Sequence, residues 1–150
     1  MGKYFGTDGI RGEFGQFLNE ELVAKIAIAT AINFEEGTKI CIGKDPRESS
    51  DIIEKILAEK LSKNGIEVEL LGVISTPIIS YAILNGDYKV GIMISASHNP
   101  YQDNGIKFFG EDGKKLSEKL EAKIENSIDN QKQLIRNKIE VIKNHKITDA

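Results

Sequence analysis

The chain has 150 residues, of which 40% are hydrophobic and 29% are charged, and its formal net charge at pH 7 is −3. This length and composition are typical of one globular domain with a sizeable core, and the negative charge argues against a protein that coats nucleic acid. No apolar run approaches the ~18 residues that a membrane span needs, so we expect neither a membrane nor a nucleic-acid partner.

A single cysteine, Cys41, lies in the run KICIG. One thiol builds no disulfide framework, which favours a reducing compartment, and a small buried hydrophobe is favoured over a reactive thiol as the interpretation of Cys41. Because the N-terminus also lacks an apolar signal region, we expect a cytoplasmic protein.

Capping residues and helical spacing predict two helices in the first half of the chain. Asn19 can cap a helix that starts with two glutamates, which suit the positive end of the helix dipole, and that ends at Gly37. The segment TKICI is predicted to be a strand. A second helix follows residues 48–50, carries isoleucine and leucine on one face, and stops at Asn64.

Strands and helices continue to alternate in the second half. The predicted elements are a strand within IEVELLGVI, a helix with a hydroxyl cap at Thr76-Pro77 that ends at Asn85-Gly86, the strands KVGIMIS and GIKFF, and a helix marked by Leu120, Ile124 and Ile128. KVGIMIS alternates little, which predicts burial on both faces, and GIKFF follows it too closely for a crossover helix. We therefore predict an α/β domain of three layers, with a mixed, mostly parallel sheet covered by helices on both faces.

The end of the chain is predicted separately from this pattern. Residues 1–130 are assigned to the domain, and residues 131–150 to an edge segment or linker, because they are polar apart from the short run IEVI. His145 in this polar stretch is interpreted as a solvated surface residue.

Polar residues follow three of the predicted strands, at their carboxyl ends. They are residues 43–47 (GKDPR), residues 75–77 (STP) and residues 96–100 (ASHNP). Ligands of open α/β sheets bind beyond the carboxyl ends of the strands. The N-terminal cluster GTDGIRG adds glycines that let the backbone approach a ligand, and Arg11, whose planar guanidinium suits phosphate.

Each of these groups also has a simpler interpretation. The glycine-rich cluster can equally be a simple turn. For Asp45 and Arg47, an ion pair that fixes the loop is favoured over direct contact with a substrate. Ser75 and Thr76 are interpreted as helix caps. Lys107 lies in an apolar run, where a lysine more often extends its head to solvent than acts in catalysis.

The segment ISASHNPYQDNGIKFF is harder to explain as a plain connection. Ser97 and His98 are neighbours and point to opposite sides of an extended chain, which argues against the serine–histidine pair of hydrolases. A serine without its own histidine base suggests a hydroxyl that is modified and then passes the group on. A phosphoserine carries nearly two negative charges, so we expect Arg11 and Lys107 to help hold it.

Ser97, and not Ser95, is the predicted phosphoryl carrier. Both serines are expected on the same side of an extended strand, because they are two residues apart. Ser95 is deeper in the apolar run IMIS, where a doubly charged group is costly to desolvate, and Ser97 is at the open end of the strand.

Three motifs together resemble the α-D-phosphohexomutase superfamily, and within it the bacterial phosphoglucosamine mutases. They are FGTDGIRG, GKDPR, with proline where the family often has threonine, and ISASHNPYQDNGIKFF. The resemblance implies that Ser97 is the phosphoserine, which donates its phosphoryl group to a sugar monophosphate and recovers one from the bisphosphate intermediate. His98 and Lys107 match family residues with roles in proton transfer or charge stabilisation, and Arg11 matches an arginine facing the same site.

The implied reaction interconverts glucosamine 6-phosphate and glucosamine 1-phosphate and feeds UDP-N-acetylglucosamine and cell-wall synthesis. The alternatives are a phosphoglucomutase/phosphomannomutase domain, or a non-catalytic association module with the same fold. We expect a homodimer, since related bacterial enzymes often pair through this domain.

Members of this family are longer and hold Mg²⁺ by a D-x-D-x-D loop in a second domain. No such run occurs in these 150 residues. The resemblance therefore implies the first domain alone, inactive by itself, with residues 131–150 leading toward the second domain. Ser97 would contribute to the magnesium site through its phosphate, and most other ligands would come from elsewhere.

Overall fold

A five-stranded mixed sheet forms the centre of the fold in the computed structural model, which describes residues 3–131. The strands are β1 (Ile10–Glu13), β2 (Lys39–Lys44), β3 (Glu67–Val73), β4 (Val90–Ile94) and β5 (Asp103–Gly110), in the spatial order β1-β5-β4-β2-β3. β2 pairs in parallel with β3 and β4, whereas β5 pairs antiparallel with both β4 and β1. Four of the described strands therefore run in one direction, which confirms the predicted mixed, mostly parallel sheet.

Helices cover both faces of this sheet. They are α1 (Glu20–Ile32), α2 (Glu48–Lys63), α3 (Thr76–Leu84) and α4 (Glu118–Asp129). α1, α2 and α4 contribute to the larger apolar core, which includes Ile42 and Ile92, whereas Ile79 of α3 packs on the other face with Cys41 and Met93. Neighbouring residues of a strand point to opposite faces, so one strand serves both cores. The three layers agree with the prediction.

The first helix is shorter than its sequence signals indicate. Asn19 is its N-cap as predicted. The helix ends at Ile32, because Asn33 takes the C-cap position and its Nδ2 donates a hydrogen bond to the carbonyl of Ala29 at 2.8 Å. Gly37, the predicted end, has a φ of +89° and lies in the turn before β2.

The N-termini of α2 and α3 have no side-chain cap. Arg47 is the N-cap of α2 and Ser75 that of α3, and neither makes a capping hydrogen bond. The predicted hydroxyl cap of α3 is therefore wrong, although this helix does start at Thr76 with Pro77 in its first turn. Both caps lie at the sheet edge that carries the polar residues described below.

β1 is a strand that the sequence pattern did not predict, because one apolar residue among polar ones gives no alternation. It pairs with β5, so that Ile10 faces Ile106 and Arg11 faces Gly105. Ile10 is fully buried. Gly9, with a φ of +86°, permits this approach, since a Cβ there would lie 2.3 Å from the carbonyl oxygen of Ile106.

The predicted boundary at residue 130 stays a prediction. Residues 132–150, with the run IEVI and His145, lie outside the described residues. Between residues 3 and 131, none of the helices combines the length and the apolar character that crossing a bilayer requires.

Cys41 is fully buried between β-strand neighbours in the smaller core. Burial raises the pKa of its thiol to about 11. Since the thiolate is the reactive form, both observations agree with a packing role rather than a reactive one.

Candidate functional site

The loop between β4 and β5 turns sharply at Ser97. Among the residues described, Ser97 is the non-glycine residue with a positive φ, at +52°. The prediction that residues 95–98 are extended is wrong, because β4 ends at Ile94 and two hydrogen bonds fold the chain back. Ser97 N donates to Ser95 Oγ at 3.0 Å, and Asn99 N donates to the carbonyl of Ala96 at 3.0 Å.

This turn gives the two serines different environments. Ser95 is 6% exposed, and its Oγ is occupied as the acceptor for the Ser97 amide. Ser97 is exposed and presents its hydroxyl at the open end of the strand. The hydroxyl that an incoming group can reach is therefore that of Ser97.

Two cations converge on Ser97. Lys107 Nζ donates a hydrogen bond to Ser97 Oγ at 2.8 Å, and Arg11 Nη2 donates one at 3.3 Å. Arg11 Nη1 also donates to Asn99 Oδ1 at 3.3 Å, and Arg11 Nη2 lies 3.6 Å from Asp8 Oδ2. A neutral hydroxyl needs no countercharge, so a lysine and an arginine beside it suit an anion carried by that oxygen.

Strand register brings these side chains together. Lys107 stands on β5 opposite Met93 of β4, and Arg11 stands on β1 opposite Gly105 of β5. A Cβ on Gly105 would lie 2.9 Å from Arg11 Cγ and 2.8 Å from the carbonyl oxygen of Ser95. The missing side chain at Gly105 is what lets the arginine reach the serine.

The charge balance of the site is positive. Burial, and then the charge of Arg11, lowers the pKa of Lys107, while Asp8 and Asp45 act in the opposite direction. Burial is the main cause of this shift, since Asp8, 3.6 Å from Arg11, already favours the charged lysine. A phosphate on Ser97 would favour the charged form further.

His98 is exposed and stands apart from this cluster. Across residues 3–131, the structure gives its imidazole no hydrogen bond and no ion pair, with Ser97 or with any other side chain. The role that the family resemblance assigns to His98 therefore stays a prediction.

Arg47 contributes more than the predicted ion pair. Its Nε lies 3.4 Å from Asp45 Oδ2, so the pair is present. In addition, Arg47 Nη2 donates to the carbonyls of Ser97 at 2.7 Å and of Asn99 at 3.0 Å, and Nη1 donates to the carbonyl of Asp103 at 2.9 Å. These contacts could not be predicted from the sequence, because they depend on β2 lying beside β4, an order that no local pattern shows.

A largely buried polar network connects the start of α2 to β5 next to the loop between β4 and β5. Asp45 Oδ1 accepts hydrogen bonds from Arg47 N at 3.2 Å and from Ser50 Oγ at 2.8 Å. Asn104, which is fully buried, donates to Ser50 Oγ at 3.0 Å and accepts from Gly105 N at 2.9 Å. These bonds tie the start of α2 to β5, and hence to the strand that carries Lys107.

The third polar strand end also reaches the site. Thr76 lines a cleft of about 250 Å³ together with Asp8, Gly9 and Lys107, and Lys115 and Glu121 also line it. Cavities that bury a small molecule are usually ~300–1,000 Å³. The described residues therefore offer part of a ligand site.

The described residues alone do not fit a magnesium ion. Within residues 3–131, no three histidine, cysteine, aspartate or glutamate side chains are grouped as metal ligands. Mg²⁺ requires near-octahedral oxygen ligands, commonly with one or two carboxylates. Around Ser97 Oγ the neighbours are instead two cations, and the carboxylate of Asp8 faces Arg11.

Comparison with protein families gives a match over almost the whole chain. The model of the phosphoglucomutase/phosphomannomutase α/β/α domain I matches residues 2–135. A phosphoglucosamine mutase of Alcanivorax borkumensis is 46% identical over 136 residues, which are 89% of this chain and 31% of that protein. A phosphoglucosamine mutase of Bacillus cereus (strain ATCC 10987) is 50% identical over 132 residues, which are 86% of this chain and 30% of that protein. The chain thus spans less than a third of the length of these relatives.

Solved structures share the architecture. A Thermus thermophilus protein, provisionally named a phosphomannomutase, superposes with a TM-score of 0.77 at 29% identity, over 83% of this chain and 29% of that chain. A phosphoglucomutase/phosphomannomutase family protein from Burkholderia thailandensis gives a TM-score of 0.73 at 22% identity, over 86% and 30% of the two chains. The second comparison supports the fold alone.

Proposed function

The chain belongs to the phosphoglucomutase/phosphomannomutase family through its α/β/α domain I, and from this premise we propose that it is the phosphoserine domain of a phosphoglucosamine mutase. The observation that carries the proposal is the convergence of Lys107 and Arg11 on the exposed hydroxyl of Ser97. The named activity of the Alcanivorax and Bacillus relatives favours glucosamine phosphate over other hexose phosphates as the substrate.

In the proposed reaction, Ser97 first gives a phosphoryl group to the sugar and then receives another one from it. The bond between Ser97 Oγ and phosphorus breaks while a bond forms from phosphorus to the C1 oxygen of glucosamine 6-phosphate. The sugar hydroxyl gives up its proton, and Ser97 Oγ takes one. After the bisphosphate turns round, the phosphoryl group on O6 returns to Ser97, and glucosamine 1-phosphate leaves.

Lys107 and Arg11 supply the charge that this transfer needs. Phosphoryl transfer depends chiefly on positioning and on neutralising the transferred group. Both cations donate hydrogen bonds to Ser97 Oγ, so they are placed to stabilise the charge that develops there when the phosphoryl group leaves. Because the pKa of Lys107 is lowered, its ammonium is also a proton donor for that oxygen. We assign His98 to proton transfer or charge stabilisation on the family resemblance alone.

The magnesium site, the cellular location and the oligomeric state are proposed as follows. A phosphate on Ser97 would give Mg²⁺ oxygen ligands, but the described residues supply no further set, so no step is assigned to the metal. We propose that the chain is inactive on its own and forms a homodimer, and that the full-length protein acts in the cytoplasm on the route to UDP-N-acetylglucosamine and the cell wall. A non-catalytic association module with the same fold is the alternative.

The proposal is tested on the full-length protein, meaning this chain with any sequence that continues it in its gene. Intact-mass and peptide mass spectrometry should find one phosphate on Ser97 in the protein isolated from cells. Ser97→Ala should remove the phosphate and the mutase activity and leave the fold intact, since an exposed hydroxyl contributes little to stability.

Ser95→Ala is the matched control. It should keep the phosphate, although it removes the acceptor for the Ser97 amide. A phosphate mapped to Ser95, or normal activity of the Ser97→Ala protein, would show that the assignment is wrong. No phosphate and no activity in the wild-type protein would favour the association module.

A further inference from the structure

Arg47 is bound to the backbone around the serine loop, which is residues 95–102 between β4 and β5, rather than exposed for a ligand. Its guanidinium donates to three backbone carbonyls, those of Ser97 and Asn99 in this loop and that of Asp103 at the start of β5. Its side chain is only 10% exposed and is paired with Asp45. All three guanidinium nitrogens thus have partners among residues 3–131, so this side chain is bound to the protein's own backbone and to Asp45.

One of these contacts is made at Ser97, the residue of the loop with a left-handed backbone conformation. The left-handed conformation of Ser97 is uncommon for a residue with a Cβ and persists only where the surroundings impose it. The amide of Ser97 is held by Ser95 Oγ, and its carbonyl by Arg47 at 2.7 Å. The two peptide groups that flank the left-handed residue are therefore both fixed, one by Ser95 and one by Arg47.

The direction of the Ser97 side chain follows from that backbone conformation. With φ at +52°, Ser97 Oγ lies 2.8 Å from Lys107 Nζ. A return of Ser97 to a negative φ would swing its Cβ and Oγ away from this position. The group that holds φ positive therefore sets the distance between the hydroxyl and its cations.

We propose that Arg47 is a positioning residue for phosphoryl transfer, which acts by holding the Ser97–Asp103 backbone so that Ser97 Oγ faces Lys107 and Arg11. The inference rests on the proposed function of Ser97, but it concerns a residue whose guanidinium contacts backbone carbonyls and Asp45. It predicts that replacing Arg47 slows the transfer and leaves sugar binding unchanged.

The kinetic test uses Arg47→Lys in the full-length protein. Lysine keeps a positive charge beside Asp45 but has one nitrogen, which cannot span three carbonyls. We expect kcat for glucosamine 6-phosphate to fall about tenfold or more while KM stays within about threefold, since a misplaced reacting group lowers turnover without removing substrate contacts.

Lys44→Met is the matched control. Lys44 is the last residue of β2, three positions before Arg47, and its side chain is 15% exposed, but its ammonium contacts Asp51 at 2.7 Å and Glu54 at 3.0 Å and not the serine loop. It should leave kcat unchanged. A loss of kcat equal to that of Arg47→Lys would show that any buried cation at this strand end has the same effect, which would overturn the proposal.

A conformational measurement on the 150-residue chain separates this inference from the proposed function. The three-bond HN–Hα coupling and the Cα and Cβ shifts of Ser97 report its φ by NMR. They should move to values of negative φ in Arg47→Lys and stay unchanged in Lys44→Met.

If the wild-type protein lacks both phosphate and activity, the proposed function fails, and the NMR result still decides what Arg47 does. Wild-type kcat in Arg47→Lys, an unchanged Ser97 φ, or a rise in KM alone would each overturn the inference. If Arg47→Lys unfolds, Arg47→Gln is measured instead. Unfolding of both variants would mean that Arg47 holds the domain and not the serine.

Discussion

At the scale of single residues, Lys107 is a member of the candidate site whose ionisation can be followed. It lies on β5 within hydrogen-bonding distance of Ser97 Oγ, and burial lowers the pKa of its ammonium. In the alkaline range between its folded and unfolded pKa values, the unfolded chain therefore binds more protons at this residue. The free energy of unfolding should rise with pH across that range because of Lys107.

The measurement is urea unfolding of the wild-type chain and of Lys107→Met at a series of pH values from about 8 to about 11. The difference between the two free energies should change with pH in favour of the wild type, since the methionine has no proton to lose. Lys89→Met, at an exposed lysine paired with Glu111, is the control. A difference that stays flat with pH would contradict the lowered pKa.

At the scale of elements, β1 and β5 carry a prediction through Gly105. A Cβ at this position would meet backbone at 2.8 Å and Arg11 Cγ at 2.9 Å. Gly105→Ala should lower the free energy of unfolding by about 1–3 kcal/mol, because the β1–β5 pairing must shift to make room. Thermal or urea unfolding measures the loss.

Gly110→Ala is the control on the same strand. The nearest atom to a Cβ there is Asp112 Oδ1 at 3.4 Å, an ordinary contact. Its free energy of unfolding should stay within about 0.5 kcal/mol of the wild type, apart from the change in backbone entropy. Equal losses in the two variants would show that the crowding at Gly105 is not what matters.

Elements also show where sequence reasoning succeeds. Helix and strand identities followed from apolar spacing and from caps such as Asn19, because those signals are local. The pairing of KVGIMIS with GIKFF followed from the short connection between them. β1 was not predicted, because only one of its four residues is a core side chain. Its strand conformation depends on pairing with β5.

The candidate site was predictable in part for the same reason. Ser97 and Lys107 belong to one segment, and Arg11 was identified by the phosphate chemistry of its guanidinium. The left-handed turn at Ser97 and the contacts of Arg47 were not predictable, since each depends on which strands lie side by side. A pattern along the chain carries no information on the spatial order β1-β5-β4-β2-β3.

On the scale of the whole molecule, we expect the 150-residue chain to fold and not to turn over. Residues 3–131 form two apolar cores and a paired five-stranded sheet, whereas the cleft beside Lys107 holds only about 250 Å³. A coupled assay with glucosamine 6-phosphate should stay at background while circular dichroism shows a cooperative unfolding transition. Clear turnover at ordinary enzyme concentrations would contradict the proposal that further domains are needed.

Association is the second expectation at this scale. α3 is rich in isoleucine and leucine, and Ile78, Tyr81 and Leu84 on it are exposed. We expect light scattering to give twice the monomer mass at high protein concentration. A monomer mass throughout the concentration series would count against the homodimer.

The arrangement of strands has a consequence for how the protein is made. The serine loop takes its supports from β1, from the start of α2 and from β5, so its surroundings combine residues 11, 47 and 107. Contacts at such sequence separation form late, because the chain must first close long loops. During synthesis, Ser97 leaves the ribosome before Lys107 does, and the hydroxyl therefore has no complete set of cations until the antiparallel strand has docked. On the proposed function, we expect a nascent chain to be a poor phosphoryl acceptor, so that phosphorylation of Ser97 would report completed folding.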